Sequence, residues 1–324
     1  MKILVTGAAG FIGYHTIKKL QQYSDISIYG IDNINDYYDV QLKLNRLEDL
    51  RLIKNTTFEE VDLNNKKLLD KIFKEFKPDI VLHLAAQAGV RYSFENPKSY
   101  IDSNITGFNS IIECSTNYKV KHFIYASSSS VYGSNTKIPF SINDRTDNPI
   151  SLYACTKKMN ELTAYNYSHN FNLNTTGLRF FTVYGSWGRP DMSYYIFADA
   201  IRKELPIKVY NEGNMSRDFT HISDVVSCID NIITSKPKKL YSLYNIGNNN
   251  PTLLLDFIEI IEKKFGKQIQ KQYLELPKGD VIKTYANISE TTVDYNYIPK
   301  TNIEDGLEEF IEWYRKYYNF LLKK

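Results

Sequence analysis

Cysteine is scarce in this chain of 324 residues, and the three present (Cys114, Cys155 and Cys228) form no CxxC pair and no metal-ligand spacing. Unpaired thiols in an enzyme-sized chain fit a reducing compartment and argue against a disulfide scaffold. Histidine is as sparse, five residues scattered along the chain, so no zinc site is expected. The formal net charge is only +3, and the basic residues gather into pairs such as Lys18-Lys19 and Lys263-Lys264 that read as solvated helix faces. That balance gives no support for a nucleic-acid partner. No apolar run approaches the ~20 residues of a membrane span. A strand pattern begins by residue 3, which leaves no room for a signal peptide, and a cytoplasmic location is expected. Internal repeats and low-complexity linkers are missing too. What remains, 43% hydrophobic and 24% charged, is a soluble globular chain long enough for one large α/β domain or two lobes.

The pattern along the chain is an alternation. Apolar runs at 27–32, 58–62, 79–86, 122–129 and 174–181 read as strands, with helical periodicity near 39–53, 65–76, 98–117 and 153–171 between them. Such alternation predicts a doubly wound parallel Rossmann sheet with helices on both faces. After residue 180 the rhythm breaks into turn-rich loops, a helix near 192–203, a strand at 244–251 returning to the sheet, and helices at 252–266 and near the C-terminus. The expected division is therefore a dinucleotide-binding domain over 1–180, with a return segment at about 222–250, and a smaller mixed α/β substrate lobe from the remaining segments of 181–324.

The opening "MKILVTGAAGFIGYHTIKKL" puts Gly7, Gly10 and Gly13 where a strand turns into a helix. In a doubly wound sheet that turn holds a dinucleotide pyrophosphate against unpaired helix amides. The spacing is GxxGxxG, and ordinary turn glycines would also account for it. Asp32 ends the second strand 19 residues after Gly13, where a carboxylate can bind the adenosine ribose diol and repel a 2′-phosphate, so NAD is favoured over NADP. It could equally start a turn before Asn33. Asp62, followed by Leu63, could reach the adenine edge from the third strand.

Tyr153 and Lys157, in "YACTK", stand one turn apart on one helix face. A phenol ionises near pH ~10, and a neighbouring ammonium lowers that value, so such a tyrosine can exchange a proton with a sugar hydroxyl. With 26 tyrosines and 40 Lys plus Arg, the pair alone means little. Its context is the hydroxyl run "YASSSSVYG" at the C-terminal edge of the sheet, where ligands of open α/β sheets bind.

The glycine turn, "HLAAQAGV", "SSSSVYG", "YACTK", "LRFFTVYG" and "RDFTHISD", taken in order from residue 1 to about 310, resemble the extended short-chain dehydrogenase/reductase family, and within it the nucleotide-sugar epimerases. "DNINDYYDVQLKLNRL", "AGVRYSFENP" and "TVYGSWGRPDM" are most similar to UDP-glucuronate 4-epimerases. The resemblance implies NAD held by Gly7, Gly10, Phe11, Ile12, Gly13, Asp32, Asn33, Asp62, Leu63, Leu84, Ala85, Ala86, Asn104, Tyr153 and Lys157. It implies catalysis by Tyr153 with Lys157 and Ser128, phosphate contact from Arg217 and a uridine-ribose contact from Asp280. The loop that usually carries Pro has Ser186 here, a change expected to alter stiffness rather than chemistry. The implied cycle is oxidation at C4 by NAD, rotation of the 4-keto sugar and return of the hydride to its other face.

Related 4,6-dehydratases carry Asp-Glu at the positions of Ser129 and Ser130, and nucleotide-glucuronate decarboxylases carry Glu at the latter. A serine pair offers no base for the C5 proton and can donate to a C6 carboxylate. Thr182, usually Asn in galactose-type epimerases, and Arg189 suit an extra negative charge. Arg189 could instead be a surface or phosphate-binding arginine, and Arg91 divides evenly between structure and substrate. The expected substrates are UDP-glucuronate and UDP-galacturonate. A neutral UDP-hexose such as UDP-glucose or UDP-N-acetylglucosamine is the alternative, and a non-enzymatic NAD sensor a distant one. A homodimer is expected through helices near 98–117 and 153–171, with Ile105, Phe108, Ile111 and Ile112 as apolar faces that could also be monomer core.

Overall fold

The computed structural model describes residues 1–320. The first half runs β1 (Lys2–Thr6), α1 (Phe11–Leu20), β2 (Ser27–Asp32), α2 (Val40–Arg51), β3 (Thr56–Glu60), α3 (Lys66–Phe76) and β4 (Ile80–His83). Two one-turn helices follow, α4 (Tyr92–Glu95) and α5 (Pro97–Tyr100), then a π-helical stretch (Ile101–Gly107), α6 (Phe108–Asn117), β5 (His122–Ser128), α7 (Leu152–Phe171) and β6 (Thr175–Phe180). The second half holds β7 (Thr182–Tyr184), α8 (Ser193–Lys203), β8 (Ile207–Tyr210), β9 (Ser216–His221), α9 (Ile222–Thr234) and β10 (Tyr241–Ile246). It closes with β11 (Pro251–Leu253), α10 (Leu254–Phe265), β12 (Lys271–Leu274), α11 (Ser289–Tyr295) and α12 (Ile303–Tyr317).

Seven parallel strands in the order β10-β6-β5-β4-β1-β2-β3 make the central sheet. Alternate side chains of β1 enter opposite cores: Ile3 and Val5 pack with Ile17, Leu20, Val225 and Ile229, whereas Leu4 packs with Leu69, Ile72, Phe73 and Ile111. Burial on both faces explains the nearly continuous apolar strands. The chain reverses direction across the sheet between β1 and β4, which opens a crevice at their carboxyl ends, Thr6 and His83 being register partners there. Beyond the sheet, β11-β9-β7 and β12-β8 form two small sheets over an aromatic core of Tyr184, Tyr194, Phe197, Phe219, Phe257, Phe310 and Tyr314. Phe219 and Phe257 stack there at 4.2 Å.

Several boundaries differ from the sequence pattern for local reasons. β4 ends at His83, and Leu84 to Ala86 run out as loop. The apolar stretch at 244–251 is two strands: β10 in the main sheet and, after a turn, β11 antiparallel to β9. The helix expected over 98–117 is π-helical over Ile101–Gly107, where Asn160 Nδ2 donates to the Asn104 carbonyl (2.6 Å), an acceptor that an α ladder also uses. Of the four apolar residues open there between a dimer face and the monomer core, Phe108, Ile111 and Ile112 are buried in the core. α9 packs on α1 beside the sheet, and Ile288, Tyr295 and Tyr297 join the same core although they come from the last eighth of the chain.

Candidate active site

The turn from β1 to α1 demands glycine for steric reasons. Gly7 has φ +71°, and a Cβ there would lie 2.7 Å from the Ala85 amide nitrogen in the loop after β4. A Cβ on Gly13 would stand 2.2 Å from the Gly7 carbonyl oxygen. Gly10 caps α1 without a side chain, and no acidic residue occupies the first turn, so the first amides of the helix remain available to an anion.

Next to this turn, Asp32 accepts from the backbone amides of Ala9 (3.1 Å) and Ile34 (3.0 Å). Burial pushes its carboxyl above the ordinary value, opposed by the charges of Lys43 and Arg46 and by those two amides. Lys43, itself buried, donates to the Asn35 carbonyl (2.6 Å) and side chain (2.8 Å), and burial lowers its ammonium. Phe11, Ile12, Asn33, Asp62, Leu63, Leu84, Ala85 and Ala86 continue the same wall. One cavity of about 400 Å³ runs from this wall to Tyr153 and Lys157. The glycine cradle, the uncapped helix and a carboxylate at one end fit a dinucleotide whose reactive end reaches the tyrosine.

Ser151 caps α7 by accepting from the Ala154 amide (3.1 Å), which fixes the turn carrying Tyr153 and Lys157. Lys157 is 3% exposed, and its Nζ donates to the Ala126 carbonyl (2.9 Å) at 6.0 Å from the Tyr153 ring centre. Burial lowers the Lys157 ammonium to about 8. It raises the Tyr153 phenol, whose neighbours pull both ways: the Ser128 hydroxyl and the Arg189 charge lower it, and Asp191 raises it. Ser128 Oγ accepts from the Ser130 amide (3.1 Å) and donates to Ser130 Oγ (3.2 Å), and Ser128 to Ser130 all line the cavity. Ser127 faces the other way, donating to Glu161 (2.7 Å), which pairs with Arg179 at 2.7 and 2.9 Å. That buried pair registers α7 against β5 and β6.

Thr182, Arg189, Arg217 and Asp280 bound the far end of the cavity. Arg189 makes a two-pronged pair with Asp191 (3.0 and 2.5 Å), and the Tyr37 hydroxyl donates to the same carboxylate (3.1 Å). Burial alone would raise Asp191, but the guanidinium holds it below its ordinary value. Arg217 donates to the Ser216 and Ile282 carbonyls. Asp280 accepts from Arg91 at 2.7 Å, and Arg91 lies 4.3 Å from the Tyr210 ring centre. Arg91 thus ties the loop after β4 to the loop after β12.

Every expected site residue lines this cavity except Asn104. Asn104 is 1% exposed and lies behind the wall, exchanging hydrogen bonds with the backbone of Gln87 and donating to Thr156, so its place is that of a brace and not of a cofactor contact. Sequence reasoning missed Tyr37, Lys43, Arg46 and Asp191. A signal for two of them was present: Lys43 and Arg46 share the helical spacing of the buried Leu47 and Leu50, so two cations stand on an apolar stripe. Ser186, the proline replacement, donates its hydroxyl to Glu309 (3.1 Å), and its carbonyl accepts from His15 (2.8 Å).

Comparison with known proteins agrees with this geometry. The sequence pattern of the family described as "Epimerase: NAD dependent epimerase/dehydratase family" matches residues 3–247. Protein CapI of Staphylococcus aureus is 51% identical over 98% of this chain and 99% of its own. UDP-glucuronate 4-epimerase 2 of Arabidopsis thaliana is 44% identical, over 98% of this chain and 76% of its own. Among solved structures, UDP-glucuronic acid 4-epimerase from Bacillus cereus, in complex with UDP-glucuronic acid and NAD, superposes with a TM-score of 0.93 at 33% identity, covering 98% of this chain and all of that one. The chain belongs to the NAD dependent epimerase/dehydratase family: it is an NAD-dependent sugar epimerase, an isomerase on the extended short-chain dehydrogenase/reductase fold.

Proposed function

We propose that this enzyme interconverts UDP-glucuronate and UDP-galacturonate by epimerisation at C4. One observation carries the reading. The wall around Tyr153 offers hydroxyls (Ser128, Ser129, Ser130, Thr182) and a guanidinium (Arg189), while the carboxylates lining the cavity, Asp32, Asp62 and Asp280, stand elsewhere. The one carboxylate whose charge reaches Tyr153, Asp191, is engaged by Arg189, so elimination finds no free proton acceptor lining the wall and a substrate carboxylate meets donors there.

NAD, held by the glycine turn and Asp32, would supply reversible hydride transfer at C4. Tyr153 takes the proton of the 4-hydroxyl and gives it back, with the Ser128 hydroxyl beside it as a second hydrogen-bonding partner for the sugar oxygen. Lys157, oriented by the Ala126 carbonyl, holds its place between the strand end and the tyrosine. A 4-keto glucuronate is a β-keto acid prone to losing CO₂. Arg189 and the serines stabilise the carboxylate charge that this loss would remove. Arg217 and Asp280 would take the UDP phosphates and ribose, with Asp280 leaving Arg91 to do so.

The two-pronged Arg189–Asp191 pair favours a second reading, because an arginine already neutralised by its own chain leaves a site compatible with a neutral UDP-hexose. NMR of purified protein with UDP-glucuronate and no added NAD tests both. UDP-galacturonate at a steady ratio, without CO₂, supports the acid reading. Conversion of UDP-glucose alone supports the other, and a pentose product rejects the serine argument.

The same proposal divides the labour of the chain near residue 180, with a cofactor half and a nucleotide-sugar half. It places the enzyme in a reducing compartment where the three free thiols persist. It pairs two copies across α7 and the segment before α6, where Ile101, Met159 and Leu162 are exposed apolar residues.

A further inference from the structure

Arg46 is wholly buried, yet no carboxylate is among its partners. Arg179, as deeply buried, shows the usual solution, a two-pronged pair with Glu161. Arg46 instead donates from Nη1 to the Ala9 carbonyl (2.8 Å) and the Tyr38 hydroxyl (2.8 Å), and from Nη2 to the Trp187 (2.6 Å) and Gly188 (3.1 Å) carbonyls. Its Nε–H has no partner among the described residues. All four of its hydrogen-bond acceptors are neutral, and the Asp32 carboxylate reaches it only through its charge, so the geometry of the fork calls for a reason.

The four acceptors belong to two places. Ala9 lies in the glycine turn and Tyr38 on the cavity wall beside it, whereas Trp187 and Gly188 immediately precede Arg189. A planar guanidinium fork holds two such pairs at fixed separation, which a lysine cannot do. The clamped loop is strained. Trp187 has φ +58°, uncommon for a bulky residue, and its ring is wedged against Tyr14, Trp313 and Tyr317. A second strut runs parallel: His15, on α1, donates from Nε2 to the Ser186 carbonyl (2.8 Å).

We infer that Arg46 is a positioning residue that fixes the Arg189 loop against the glycine turn, so that recognition of the acidic sugar depends on a guanidinium outside the cavity. The inference rests on the UDP-glucuronate reading and deepens it. The glycine turn and the arginine loop form one unit, and Arg46, fully buried, stands behind the cavity wall.

The test is a double-mutant cycle on NAD-loaded protein in a Tyr153→Phe background, where bound sugar is not turned over. Calorimetry gives the affinities for UDP-glucuronate, UDP-glucose and UDP in the parent, Arg46→Lys, Arg189→Gln and the double variant. Arg46→Lys keeps the charge and loses the fork. It is expected to reduce the preference for UDP-glucuronate over UDP-glucose about tenfold, with UDP affinity nearly unchanged, and the double variant should lose no more preference than Arg189→Gln alone. An undiminished preference in Arg46→Lys, multiplying losses in the double variant, or an equal fall in UDP affinity would each overturn it. His15→Leu, which cuts the Ser186 strut and spares the buried charge, serves if Arg46→Lys does not fold. A several-fold loss of the same preference supports the clamp, and no loss contradicts it. Absence of any preference in the parent would defeat the UDP-glucuronate reading itself, before Arg46 is touched.

Discussion

The two ends of the cavity are held by different forces. At the cofactor end the decisive contacts involve backbone: a glycine turn too tight for a Cβ, free helix amides, and Asp32 fastened by two amides within its own βαβ unit. At the sugar end they are side-chain charge pairs: Arg189 with Asp191 and Tyr37, and Arg91 with Asp280 across 189 residues of sequence. The first end is rigid because steric exclusion allows one geometry. The second is a set of ion pairs that a ligand can exchange. An epimerase needs both, a cofactor that stays and a sugar that turns over within its site.

Tyr153→Phe acts where the two ends meet, and the largest effect is expected there. Turnover should fall by about 10²–10⁴-fold, while co-purifying NAD and the melting temperature stay close to those of the parent. Gly13→Ala breaks the cofactor end alone. Its Cβ would press on a backbone oxygen 2.2 Å away that cannot yield like a side chain. A stability loss of about 1–3 kcal/mol and loss of bound NAD are expected by melting and by absorbance of the protein as isolated.

Arg189→Gln breaks the sugar end alone. A drop of roughly 10–100-fold in kcat/KM for UDP-glucuronate, with NAD content unchanged, would separate the two ends cleanly. Lys157 sharpens the contrast through pH. Its ammonium ionises near 8 in the fold against 10.5 ordinarily, so between those values the native chain binds fewer protons than the unfolded one. Stability of the cofactor-free protein should therefore rise with pH across that window through this group, and Lys157→Met should flatten the rise. The smallest effect is expected from Arg91→Ala. Arg91 is half exposed, so breaking its pair with Asp280 should cost less than about 1 kcal/mol of stability.

The same contrast explains what could be read from the sequence. Gly7, Gly13 and Asp32 are legible because their roles are set within one strand-turn-helix unit, where spacing stands for geometry. Tyr153 and Lys157 are legible on one helix face, and Ser128 to Ser130 at one strand end. Asp191 is two residues from Arg189, yet nothing in "GRPDM" announces that the pair closes on itself, since that depends on Tyr37 arriving from the loop after β2. Asn104 is not legible as a brace because its neighbours come from two distant segments, Gln87 from the loop after β4 and Thr156 and Asn160 from α7. Phe108, Ile111 and Ile112 carry the apolar pattern of an interface and of a core alike, and only the packing of α3 and β5 against them decides.

The most direct measurement is the ratio of kcat/KM for UDP-glucuronate to that for UDP-glucose, taken on the protein as isolated with no added NAD. If Arg189, Thr182 and the serine row recognise a carboxylate, the ratio should favour the acid by roughly 10–100-fold. A ratio near one, or one favouring UDP-glucose, would contradict acid recognition and return the site to the neutral sugars.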